Sequence, residues 1–372
     1  LTNLETSENV SGSSTSTGSF GSVIGVGNSN SFGTTLIKGS GKKLHFSDVG
    51  GEFISGDGTD LTITSGNDIV LTLGSGGSLY HTGDGGSNNT IFGLDAGEAL
   101  VSGADGNTFF GEDAGKACTG DFNTFIGFNA ADSFVGGVRN VAIGRNALAT
   151  TTDVDKVVAI GYNAAGSAAL VVGSTNADGT VAVGYNTLEA LTSGVGNVAV
   201  GFTALGTLAD GDFNTAVGHQ ALTACNASGE AANTAVGYKA GLAITDGVFN
   251  TAIGYLSMLR NTSADVNVAV GGNSLQALVS GDQNTAIGTN ALYALNGGGD
   301  NVAVGHNSGD AATTASGSVF IGQDAGGTVT TGNDNIAIGR DSLAGAATTG
   351  DNNIAIGANA GDALTSGFSN VI

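Results

Sequence analysis

From about Asn89 to its last residue the chain repeats itself at a step of 17 residues, and this period restricts its possible folds more than any other feature. Asn284-Thr285-Ala286-Ile287-Gly288 is followed 17 residues later by Asn301-Val302-Ala303-Val304-Gly305 and preceded by Asn267-Val268-Ala269-Val270-Gly271. The central Gly can be followed from Gly93 to Gly357, with departures of one or two residues from the usual step. The one large departure lies between Gly161 and Gly184, around Val171-Val172-Gly173, where a bulged coil or outward loop is expected.

Seventeen residues at about 3.3 Å each make a path of roughly 56 Å, which accommodates two short strands and two corners but not a helix plus a strand. Gly or Asn every few residues leaves room for no more than a turn of helix, even in the Ala-rich stretch Asn290–Leu295. The sequence therefore predicts an all-β fold, a parallel β-solenoid or β-roll of about 17-residue coils. Each coil adds about 4.8 Å, for a stack of some 80 Å.

Composition agrees. There are 66 Gly, no Pro and no Trp, while the hydrophobic fraction is 40%. Collagen needs Gly at every third position together with Pro, and a disordered chain is less apolar. Three sections are expected: a Ser/Thr/Gly-rich leading segment over 1–41, a section of short strands over 42–88, and the tandem coils over 89–372. In the middle section Leu61-Thr62-Ile63-Thr64 and Ile69-Val70-Leu71 are punctuated by Gly turns. The chain begins at Leu1 and stops part-way through a repeat, as expected of a segment of a longer polypeptide.

Within a unit, the residues three and one before the Gly are β-branched or aromatic, and Ala usually stands between them. Alternation puts the two sets on opposite faces. The expectation is that Thr285 and Ile287 point into the coil with Leu292. Ala286 and Gly288 would then form a small outer face for close approach of another chain on a threefold axis. Asn284 and Asn301 mark corners, where Asn tolerates left-handed backbone and its side chains can ladder.

The net charge of −22 excludes a nucleic-acid-backbone partner, which needs a concentrated positive face. No apolar run reaches the length of a membrane span, and none reads as a signal peptide. Cys118 and Cys225, about six coils apart, are too distant for a disulfide and are expected to be apolar fillers.

The slot just after the Gly holds Phe128, Tyr162, Tyr185, Phe202, Tyr238 and Tyr255. Such a column suits either packing between coils or subunits, or recognition of a glycan by stacking. His219 and His306 occupy the same slot five coils apart, which rules out a shared metal within one chain. Asp212, Asp282, Asp334 and Asp351 recur in the turn before the Asn and suit turn formation, with Ca²⁺ as the one ion that recurrent carboxylates would take. No P-loop, zinc-protease helix or nucleophile-elbow motif appears with its context, so no enzyme, catalytic residue or cofactor is expected.

The unit Asn-Thr/Val-Ala-Ile/Val-Gly-x-x-Ala/Ser resembles the head repeats of trimeric autotransporter adhesins. Extended by a preceding Thr-Gly-x-x-Asn and a following Ala-Leu, it is similar to repeats of phage tail-fibre proteins. The resemblance covers about three quarters of the chain. It implies a left-handed parallel β-roll, a homotrimer and an extracellular location in a cell-surface filament or virion tail fibre. It also implies a structural or adhesive shaft. The alternatives are an adhesin head that binds host matrix, a cell-surface glycan or a protein receptor directly, or a tailspike that degrades polysaccharide.

Overall fold

The computed structural model describes residues 88–101, 103–150, 152–166 and 177–372. The leading segment, the short-strand section before residue 88 and the piece around Val171-Val172-Gly173 lie outside the described residues. Sixteen three-residue strands, from Thr90–Phe92 to Ile354–Ile356, form one parallel sheet in which each strand pairs with the next coil's. There is no helix among the described residues. A second, two-stranded parallel ladder joins Gly211–Asp212 to Gly229–Glu230.

Pairing is in repeat register throughout: Thr285 lies opposite Val302, Ala286 opposite Ala303 and Ile287 opposite Val304. Equivalent residues therefore stand in columns along the stack. The ladder continues across the long coil, with Val158 opposite Val181 and Ile160 opposite Val183. The insertion thus adds chain outside the strand without shifting register.

The two faces of the strand are the reverse of the expectation. Ala286 is 0 % exposed and Ile287 is 42 % exposed, and the same alternation recurs in almost every coil. Ala points into the coil, and the β-branched residues on either side point outward. The cause is the thinness of the coil. Leu from the segment after the Gly fills the interior: Leu148, Leu188, Leu205, Leu222, Leu275 and Leu292 are completely buried in one continuous cluster with the Ala column. Facing Leu, the strand has room for a methyl group. The Ala column is accordingly closed to other chains, contrary to the expected close approach of Ala286 and Gly288 to a neighbouring subunit.

Three of the coils without Leu at that position show the volume argument directly. Phe replaces Ala in the strands Thr108–Phe110, Thr124–Ile126 and Val319–Ile321. The Leu position of those coils is Gly115, Ala131 and Gly326. Phe109, Phe125 and Phe320 are fully buried, and Phe109 stacks on Phe125 with centroids 5.1 Å apart. In these three coils large and small residues exchange sides of the core, whereas Ala159, Ala235, Ala303 and Ala355 stay small beside Ala165, Gly241, Gly309 and Gly361.

The segment after the Gly is a succession of turns, which corrects its reading as a second strand. Asn290 and Leu292 both have left-handed backbone, with φ of 57° and 51°. The i→i+3 bonds Ala291 N–H to Gly288 O and Leu295 N–H to Leu292 O close it. The Gly is small for a reason internal to the chain. Gly271 has φ of +135°, and a Cβ placed on it would meet the carbonyl of Gly288 one coil on. This contact repeats from Gly93 to Gly339.

Asn284 and Asn301 are not surface corners but fully buried. Each Asn Oδ1 accepts from the next coil's backbone. Asn301 N–H donates to Asn284 Oδ1 at 3.1 Å, and Asn301 Nδ2 donates to the same oxygen at 2.9 Å. In turn Asn284 Nδ2 donates to Gly298 O at 2.9 Å. The column stitches coils together where the backbone leaves the strand, meeting the requirement that buried polar groups be paired.

Candidate functional site: a stacked aromatic column

Parallel in-register coils place each residue that follows a Gly about 4.8 Å from its equivalents, close to the separation of stacked rings. Tyr162, Tyr185, Phe202, His219, Tyr238 and Tyr255 form one continuous stack. Successive centroids lie 5.2, 5.2, 5.0, 5.4 and 5.4 Å apart. The planes are tilted by no more than 28°. Arg145 extends the stack downward, its guanidinium carbon 5.9 Å from the Tyr162 ring centre and 5.5 Å from that of Phe128. All six residues expected to form the column are on the surface and brought together.

Of two further members, His219 was already placed in this slot by sequence and Arg145 was not. A search for rings passes over Arg145, although its position after Gly144 is the signal that it belongs. His219 is a full ring of the stack. His306, in contrast, stands apart, between Thr289 and Gln323 in the same column.

Stacking determines what the column offers. Each ring's two faces are covered by its neighbours, so solvent meets ring edges and the Tyr hydroxyls. A sugar stacks on an aromatic face through its axial C–H groups, and inside the column no face is free. The exceptions are the two ends, where the slot beyond Tyr255 holds Gly272 and the slot before Phe128 holds Glu112.

The turn carboxylates act on the backbone. Asp212 Oδ1 accepts from Val195 N–H at 2.9 Å, Asp282 Oδ1 from Asp265 N–H at 2.8 Å, and Asp351 Oδ1 from Asn333 N–H at 2.7 Å. Asp334 instead occupies a left-handed position, with φ of 54°. These acids link coils in the way the buried Asn residues do. Among the described residues no three His, Cys, Asp or Glu side chains gather as a metal site. A shallow hollow of about 230 Å³ lies between Ser193, Val195, Asp210 and Asp212. One of its two carboxylates, Asp212, is already committed to Val195.

Burial raises the carboxyls of Asp132 and Asp310 above the usual range, aided by the charges of Asp113 and Asp324 respectively. Cys118 and Cys225 are free and buried. Burial pushes the Cys118 thiol up to about 11, the opposite of an activated nucleophile. No helix among the described residues is long and apolar enough to cross a membrane.

No family model matches the chain, and no curated protein matches it.

Proposed function

We propose that the chain is a non-enzymatic shaft segment of an extracellular fibre, with three copies packed through their outward β-branched columns. The observation that carries this reading is the column one residue before each Gly. It is Phe, Ile or Val in all sixteen strands of the sheet, and it points outward. Phe92, Phe110, Ile253, Ile287, Ile321 and Ile356 are each exposed.

With its Thr/Val/Ile companion three residues before the Gly, this column makes a strip about 70 Å long and about 7 Å wide. An area on the order of 500 Å² is at the upper end of what a monomer leaves in water. The strip is narrow and straight, so three copies around an axis each bring it to two neighbours. The acidic surface outside the strip keeps such particles apart from one another. The resemblance to trimeric adhesin heads and phage tail-fibre repeats points to the same assembly.

Sedimentation equilibrium tests the proposal. The expected mass is that of three chains, and Ile287→Asp combined with Val304→Asp in the same column shifts it toward one. A stable wild-type monomer overturns the fibre reading. Release of reducing ends from a surface polysaccharide would overturn its non-enzymatic part.

A further inference from the structure

We infer that the coil carrying Gly272 forms a binding notch for one flat, all-equatorial pyranose ring, which stacks on the open face of Tyr255. Tyr255 is the most exposed of the column's Phe and Tyr rings, at 58 %. Its inner face is covered by Tyr238 at 5.4 Å. The next position outward belongs to Gly272, the one glycine in a slot that otherwise carries side chains from Leu94 to Ala358.

Gly272 has no backbone reason to be glycine. Its φ lies outside the left-handed region, unlike that of Gly271 beside it. A Cβ placed on it would have only Thr289 Cγ2 and Tyr255 O near it, each at 4.0 Å. Most other glycines of the repeat relieve a clash or a strained φ, although Gly297 at a bend is likewise unhindered. At 272 glycine leaves open space.

That space has two walls. One is the Tyr255 ring and the other is the Thr289 methyl group, two coil steps away or about 10 Å. A guest placed midway takes the place of a ninth column member, at the spacing that the rings already keep. The Tyr255 ring face and the Thr289 methyl are apolar, and the Tyr255 carbonyl lies at the base of the notch, so a guest that is apolar on its faces and polar around its rim fits. A β-glucopyranoside meets this: its axial C–H bonds cover both faces and its hydroxyls point outward to solvent. An axial hydroxyl, as at C4 of galactose, is pushed against a wall. The inference stands independently of the fibre reading.

Saturation-transfer NMR on the full chain tests it, with methyl β-D-glucopyranoside, methyl β-D-galactopyranoside and p-cresol as probes. Transfer to the axial protons of the glucoside is expected, with weaker transfer to the galactoside. Gly272→Tyr, which fills the notch with a further ring, and Tyr255→Leu, which removes the face but keeps apolar bulk, should each abolish it. Circular dichroism of each variant confirms the fold, and either folded variant alone decides the matter. Absence of transfer, equal transfer to both glycosides, or a signal undiminished in the folded variants overturns the inference. Transfer to p-cresol alone also overturns it, and reassigns the notch to an aromatic side chain of a protein partner.

Discussion

Gly271 lies so close to the next coil that a Cβ added to it would sit 2.5 Å from the carbonyl oxygen of Gly288. The backbone at Gly271 also has φ of +135°, a region closed to L side chains. Steric overlap and backbone strain coincide, and neither can relax without separating the two coils. Gly271→Ala is expected to destabilise the chain by on the order of 3 kcal/mol. Gly272→Ala, one residue away in open space with ordinary φ, should be neutral or slightly stabilising. Denaturant melts of the two variants side by side make the comparison. Equal effects would mean that the Gly column is not what sets coil spacing.

The buried Asn column carries the second prediction. Removing the Asn284 side chain deprives Asn301 N–H and Gly298 O of their partners inside the protein. An orphaned buried group costs about 1–3 kcal/mol, so Asn284→Ala should lose about 2–4 kcal/mol. Asn284→Ser should lose less. Ser318 fills the equivalent position two coils on, and its Oγ accepts from Asn335 N–H at 3.2 Å. The two urea midpoints, measured on otherwise identical chains, test this ranking.

The Asn column also marks how far the sequence could be read. The 17-residue step, the Gly positions and the parallel stacking follow from the repeat, because only in-register coils keep like residues together. The laddering of Asn284 and Asn301 was visible too, but their burial was not, since Asn at a corner usually faces water. The greatest miss was the direction of the strand faces. Alternation separates Ala286 from Ile287 but does not say which one is inside. The habit of placing the bulkier set in the core fails here, because Leu292 enters the same space from a left-handed backbone position that leucine seldom adopts. The aromatic slot was legible as a column. Its consequence, that stacking hides the inner ring faces and leaves the Tyr255 face open beside Gly272, required the observed spacing.

Core complementarity gives the third prediction. A Cβ on Gly309 or Gly326 would strike the Phe320 ring. Phe320→Ala should cost about 3–5 kcal/mol. Gly326→Leu alone should also destabilise, because it overfills the core. In the double variant, Leu replaces the lost ring as Leu292 and Leu343 do beside Ala286 and Ala337. It should therefore be more stable than Phe320→Ala. A thermodynamic cycle over the four chains measures the coupling, and additive losses would contradict the exchange of volumes.

Cys118 supplies a pH prediction. Burial is the main cause that lifts its thiol from 9.0 to about 11, against the weaker opposing effects of the Gly120 backbone and the Asn123 amide. The folded chain keeps a proton that the unfolded chain releases near pH 9. The stabilisation is therefore complete below pH 9 and is lost as pH rises toward 11, amounting to about 2–3 kcal/mol. Cys118→Ala should flatten that part of the stability profile. In the wild type a thiol reagent should label Cys118 only as fast as the chain opens.

Val266 provides the last prediction. It stands immediately before the buried Asn267, in a column that always has left-handed backbone, and its φ is 59°. Asp300, Asn352 and Gly196 hold the same place at 61°, 61° and 63°, and these are residue types that tolerate it. A β-branched residue does not. Val266 N–H donates to Val248 O at 3.0 Å, which ties the turn to the coil before and prevents the backbone from relaxing. The side chain is half exposed, so little burial is lost on replacing it. Val266→Asn should therefore raise stability by about 1 kcal/mol, seen as a higher denaturant midpoint at unchanged slope. If the variant is instead less stable, the strained valine is held by contacts outside its own coil, and the left-handed backbone is not what limits stability at this corner.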